Sequence, residues 1–138
     1  SNSYLEWAAE NFRLNGMSRS HRLERADCLE WLRGADETFD LIFLDPPTFS
    51  NSKRMQGVLD VQRDHQVLID QCMRLLSNGG RLVFSTNAQR FRLDDAVSQR
   101  WQVTDISTAT LPFDFARNPR IHRCFEISAT TARPYRPD

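Results

Sequence analysis

The apolar run Leu41-Ile42-Phe43-Leu44 stops abruptly at Asp45-Pro46-Pro47 and passes into a polar loop, Thr48-Phe49-Ser50-Asn51-Ser52-Lys53. Consecutive apolar residues predict a strand over Phe39 to Leu44 buried on both faces, as in a parallel sheet. Proline cannot donate to a ladder, so the strand must end near Asp45. In an open α/β sheet, ligands bind in the crevice at the carboxyl ends of the strands. Residues 45 to 53 are therefore expected to line a binding site.

The rest of the chain fits that frame. Leu5, Ala8, Ala9 and Phe12 recur at helical spacing over Tyr4 to Leu14, and Asn15-Gly16 is a stop signal. A strand is expected over His21 to Ala26, leading to Asp27, then a short helix from Cys28 to Arg33. The polar stretch from Pro46 to Leu59 reads as a long functional loop. Asp60 suits the N-cap of a helix reaching Leu76, with Val61, Leu68, Ile69, Cys72, Leu75 and Leu76 on one face. Ser77-Asn78-Gly79-Gly80 ends it, and Arg81 to Ser85 is a second buried strand. A helix near Leu93 to Gln99, strands over Trp101 to Ile106 and His122 to Ala129, and a frayed tail over residues 131–138 complete the order. Alternating strands and helices specify an α/β sheet, with an antiparallel pair at its end.

At 138 residues the chain has room for one domain or less. No apolar run approaches membrane length and no leader pattern opens the chain, so a cytoplasmic setting without a membrane partner is expected. The three cysteines, Cys28, Cys72 and Cys124, form no CxxC or zinc-type cluster and read as reduced and mostly buried; no metal site is expected. Eighteen basic residues balance eighteen acidic ones, but residues 81–138 hold nine basic and six acidic. All the basic residues except Lys53 are arginine, which suits phosphate and base recognition, although charge alone does not establish a nucleic-acid partner.

Asp27 and Asp45 are the acids at expected strand ends. Such a carboxylate can accept from an adenine amino group, a ribose hydroxyl or a substrate amine; Asp27 reads equally well as the cap of the following helix. Pro46 and Pro47 fix the backbone after Asp45, and Phe49 is a candidate to stack on a base. Lys53, Arg54 and Arg63 are candidate phosphate contacts, and Arg117, Arg120, His122 and Arg123 form a basic cluster before the last strand. His65 lies between Val61 and Leu68 on the helix face and reads as a satisfied, partly buried histidine rather than a catalyst.

With these residues in view the chain resembles the class I S-adenosylmethionine-dependent methyltransferases. Asp45-Pro-Pro-Thr-Phe49 sits at that family's fourth motif, and Asp27-Cys28 where an acid meets the adenine. Ser3-Tyr-Leu-Glu-Trp-Ala8, Asn11-Phe-Arg-Leu-Asn-Gly16, Asp45 to Met55, Val61-Gln-Arg-Asp-His65 and Asp114-Phe-Ala-Arg-Asn118 resemble, more narrowly, the C-terminal half of the bifunctional bacterial 23S rRNA guanine methyltransferase family RlmK/L. That half makes N7-methylguanine.

The resemblance implies a Rossmann-like sheet of order 3-2-1-4-5-7-6 with an antiparallel last strand. It also implies S-adenosyl-L-methionine as cofactor and 23S rRNA as substrate. Asp45, Pro46, Pro47 and Phe49 take the catalytic positions; Asp27, Cys28 and Asp45 face the cofactor, and Lys53, Arg54, Arg117 and Arg120 face RNA. The glycine-rich first motif and the ribose-binding acid after the second strand are absent from these residues. The chain is thus expected to be a partial methyltransferase domain over 1–138, without the first two strands and the N-terminal part of its parent. It is expected to be inactive alone, with a partner or second copy covering the broken sheet. Cytosine C5 or amine methylation of RNA, and a non-catalytic RNA-binding module, are the alternatives.

Overall fold

The computed structural model describes residues 2–17, 21–50 and 59–129. Helix α1 (Asn2–Leu14) ends in a Schellman motif, with the amide of Met17 donating to the Phe12 carbonyl and that of Gly16 to Arg13. Gly16 supplies the left-handed φ of +68° that this motif requires. The expected frayed tail, like Lys53 and Arg54, lies outside the described residues.

Helix α2 (Cys28–Gly34) leads to strand β1 (Phe39–Leu44). A two-residue pair, β2 (Phe49–Ser50) and β3 (Leu59–Asp60), precedes helix α3 (Val61–Arg74), which feeds β4 (Leu76–Thr86). Helix α4 (Asp95–Arg100), β5 (Gln102–Asp105), the single turn α5 (Ser107–Thr110) and β6 (Arg123–Ser128) follow. The main sheet has the order β1-β4-β6-β5, with β1 parallel to β4 and β6 antiparallel to both neighbours. This is the 4-5-7-6 half of the order the resemblance implies.

Helix α3 forms as its apolar period requires. Asp60 Oδ1 caps it by accepting from the amides of Gln62 and Arg63, and Asp64 Oδ2 reaches back to the Asp60 amide at 2.9 Å. Val61, His65, Leu68, Ile69, Cys72 and Met73 face Leu82, Phe84 and Ile127 of the sheet. After α3, β4 starts earlier than expected, at Leu76, and Gly79-Gly80 carries it past β1. Gly79 takes a φ of +80°, and a Cβ on Gly80 would stand 3.0 Å from the carbonyl oxygens of Phe39 and Ser77.

Three expectations fail. His21 to Ala26 forms no strand, because no described strand lies alongside to bond it. β1 is not buried on both faces: Ile42 and Leu44 turn to the core, while Leu41 and Phe43 are 63% and 65% exposed, since no described element packs on their side. Cys28 is exposed, in contrast to buried Cys72 and Cys124, because it occupies the first, solvent-facing turn of a short helix.

Candidate functional site at the strand ends

Asp45 follows the last residue of β1, where the prolines end the ladder. Its exposed carboxylate accepts a 2.9 Å hydrogen bond from the hydroxyl of Ser85, on the neighbouring parallel strand. Pro46 and Thr48 are half-buried, while Pro47 and Phe49 are exposed. The carbonyl of Thr48 accepts from the Val61 amide at 3.2 Å, and Phe49 pairs with Asp60. The loop is thus sewn to the start of α3 on both sides of the aromatic. This pairing was not legible beforehand, because two-residue strands carry no periodic signal.

Opposite Phe49, the chain leaves β4 through Thr86, Asn87 and Ala88. The buried Thr86 hydroxyl accepts from the Ala88 amide at 3.1 Å and shapes the turn. Arg90 has a φ of +62°, the one left-handed non-glycine residue among those described. Such a conformation costs a bulky side chain about 1–2 kcal/mol. It is held by Gln62, whose side chain donates to the Arg92 carbonyl at 2.9 Å and accepts from the Arg92 amide at 3.0 Å. Between these walls lies a cleft of about 480 Å³ lined by Thr48, Phe49, Gln62, Asn87, Gln89 and Arg90. A planar heteroaromatic ring could stack on Phe49 there, with amide and guanidinium groups at its edge.

Asp27 stands at the N-terminus of α2, whose other end is fixed near the bottom of the sheet by Arg74 donating to the carbonyls of Leu32 and Ala35. Asp27 Oδ1 caps α2 by accepting from the amides of Leu29 and Glu30 at 3.0 and 3.1 Å, which is the structural role considered for it. The Cys28 thiol beside it is pushed up by partial desolvation of its sulfur, although the residue as a whole is exposed, and by the Asp27 charge; burial pushes Cys72 up to about 12. Arg117 and Arg120 are exposed on the connection before β6, which enters the sheet at the Asp45 end. Arg63 pairs with Asp64 at 2.7 Å.

His65 is no part of the cleft. Its Nδ1 faces the Val61 and Gln62 carbonyls at 3.0 and 2.9 Å, while Nε2 accepts from the Asp94 amide at 3.0 Å. That network assigns the Nδ1–H tautomer. Among the described residues, no three His, Cys, Asp or Glu side chains are placed to hold a metal ion, and no helix is long and apolar enough to cross a membrane. Sequence reasoning missed Ser85, Gln62 and Arg90, since each matters through a partner distant in the chain.

The sheet order and the acid at the end of β1 define the fold of the S-adenosylmethionine-dependent methyltransferases. The described fold superposes on the crystal structure of SMU.776, named as a methyltransferase and complexed with SAH, with a TM-score of 0.62, 24% identity, and coverage of 87% of this chain and 35% of that one. A SAM-dependent methyltransferase from Agrobacterium tumefaciens gives a TM-score of 0.60 at 25% identity over 71% of this chain and 33% of that one. No family model matches.

Over most of its length the chain is similar to a segment of proteins named ribosomal RNA large subunit methyltransferase K/L. It is 55% identical over 127 residues to the protein of that name from Hahella chejuensis, covering 92% of this chain and 18% of the relative. It is 58% identical over 128 residues to the one from Chromohalobacter salexigens, with the same coverage. The chain thus spans under a fifth of the length of these curated relatives.

Proposed function

We propose that this chain is part of a methyltransferase that uses S-adenosyl-L-methionine to methylate guanine N7 of 23S rRNA. The observation that carries this reading is Phe49, which follows the Asp45-Pro46-Pro47 strand end braced by Ser85 and stands on the wall of a cleft of about 480 Å³ that Asp45, Pro46 and Pro47 do not themselves line. A carboxylate at the end of a parallel strand fits the donor groups of an adenosine and an amino acid; Asp45, with Asp27 at the start of α2, would hold the cofactor from this side. When bound, it supplies an electrophilic methyl group on a sulfonium. Guanine N7 carries a lone pair in the ring plane, so no residue needs to remove a proton.

The work of the chain is then placement. Phe49 stacks on the guanine, the backbone fixed by Pro46 and Pro47 turns its carbonyls toward the exocyclic amine, and Asp45 offers negative charge to a ring that becomes cationic on methylation. Lys53, Arg54, Arg117 and Arg120 meet RNA phosphates. A cytoplasmic setting goes with an rRNA substrate. The bare face of β1 with Leu41 and Phe43 fits a seat for the rest of the parent polypeptide, with a second copy of the chain as the alternative occupant. Without a glycine-rich cofactor loop in these residues, the 138-residue chain alone should bind the cofactor weakly and be inactive. Calorimetric titration tests this, and tight binding by the isolated chain would contradict it.

Cytosine C5 methylation requires a nucleophilic thiolate. Cys72 and Cys124 are buried, and all three thiols are pushed toward the protonated form, so the guanine reading is preferred. Nucleoside mass spectrometry of 23S rRNA incubated with the full-length protein and labelled cofactor tests the proposal. Label in N7-methylguanine supports it; label confined to cytosine or adenine overturns it.

A further inference from the structure

The connection between β5 and β6 rises from the same end of the sheet as Asp45. Arg123, which opens β6, stands opposite Thr86, and Cys124 stands opposite Ser85, whose hydroxyl holds Asp45. With neighbouring strands about 4.8 Å apart, Asp45 and the foot of this connection are separated by roughly 10 Å.

Both feet are pinned. The Arg123 guanidinium donates to Asp105 at 2.8 Å, Asp105 accepts from the Ser107 amide at 2.9 Å, and the Ser107 hydroxyl accepts from the Cys124 amide at 2.9 Å. The Thr110 hydroxyl pairs with His122 Nε2 at 2.9 Å. Between the feet, successive turns close on themselves: Phe115 donates to the Pro112 carbonyl, Ala116 to Phe113, Asn118 to Phe115 and Ile121 to Asn118. The result is a hydrogen-bonded arch rather than an open loop. At its crest Phe113 is 92% exposed and Phe115 is half-exposed. Arg117 and Arg120 follow, both exposed, and Asp114 is the one acid between Ile106 and His122.

A phenylalanine held in water forgoes its burial, so an arch that fixes one there presents it to something flat and apolar. Arginines beside it favour an anionic partner. An unpaired nucleotide satisfies both conditions: its base has a π-face to stack and its phosphate meets a guanidinium. We propose that the arch from Ser107 to His122 is a second wall of the RNA site, on which Phe113 stacks an unpaired base flanking the target and Arg117 and Arg120 meet the adjoining phosphates. This rests on the RNA-methylating reading above and extends it to residues that lie outside the cleft.

The test compares the full-length protein with its Phe113→Ala and Phe113→Trp variants in two assays. One is anisotropy with an unpaired guanine-containing RNA oligonucleotide, and the other is steady-state methylation of protein-free 23S rRNA. Loss of a base stack predicts about five- to a hundredfold weaker binding and a matching rise in KM for Phe113→Ala, with kcat within about twofold and recovery in Phe113→Trp. Because Phe113 is exposed, Tm should not move. RNA affinity and KM equal to wild type overturn the proposal. So does a lower Tm with unchanged affinity, which would mean that protein rather than RNA covers the arch. If wild type transfers no methyl group to rRNA, the broader reading fails, while the anisotropy still decides the fate of the arch.

Discussion

The hydroxyl of Ser85 donates to the carboxylate of Asp45 across the two parallel strands β1 and β4, at 2.9 Å. The bond orients a carboxylate that the prolines have already removed from the ladder. Ser85→Ala should lower methylation by the full-length protein about tenfold, the equivalent of one misplaced hydrogen bond in the transition state. Stability should change by about 1 kcal/mol or less, because Asp45 is exposed and can turn to water. Matched kinetics and thermal melts check both halves of this expectation.

His65 joins α3 to the N-terminus of α4 through the Asp94 amide and packs against Phe84 and Phe91. His65→Ala leaves that amide short of a partner and opens a cavity, which should cost about 2–4 kcal/mol. Urea unfolding should show the loss. A change in activity without a change in stability would instead place His65 in the chemistry.

Gly80 passes the end of β1 so closely that a methyl group meets backbone oxygens at 3.0 Å, whereas the corresponding position at Gly34 is open. Gly80→Ala should therefore destabilise by about 1–3 kcal/mol. Gly34→Ala should be neutral or slightly stabilising, since it reduces the freedom of the unfolded chain. Denaturation midpoints of the two variants, measured side by side, check the contrast.

The thiols should separate by access. Cys28 is exposed, and Cys72 and Cys124 are buried. A disulfide reagent at pH 8 should modify Cys28 in the folded chain and the other two only with unfolding. All three thiols are pushed up, Cys72 to about 12, so the Cys28 reaction should itself be slow and accelerate as pH rises. Rapid labelling of all three in the absence of denaturant would contradict the burial described.

Punctuation marks made much of this legible in the sequence. Asp45-Pro46-Pro47 ended β1 because proline has no amide to donate, Asp60 capped α3, and Gly16 closed α1. The α3 period identified the core face, including His65 as a structural residue. What stayed hidden depends on neighbours remote in the chain. His21 to Ala26 has strand-like composition, but a strand needs a ladder and none lies beside it. Leu41 and Phe43 look like core, and only the missing layer over their face exposes them. Ser85 reaches Asp45, and Gln62 fixes the strained turn at Arg90, through contacts that no local pattern encodes. The S-adenosylmethionine and rRNA readings came from motif resemblance, and the matches to K/L methyltransferases agree with it over 92% of the chain.

Asp45→Ala in the full-length protein tests whether Asp45 ends its strand at a guanine-methylating site. Its 23S rRNA product should be analysed by nucleoside mass spectrometry, with a thermal melt to verify folding. The fold should stay intact and N7-methylguanine should fall by about a hundredfold or more, as when a placing group is removed. N7-methylguanine at the wild-type level in a folded Asp45→Ala protein would contradict it.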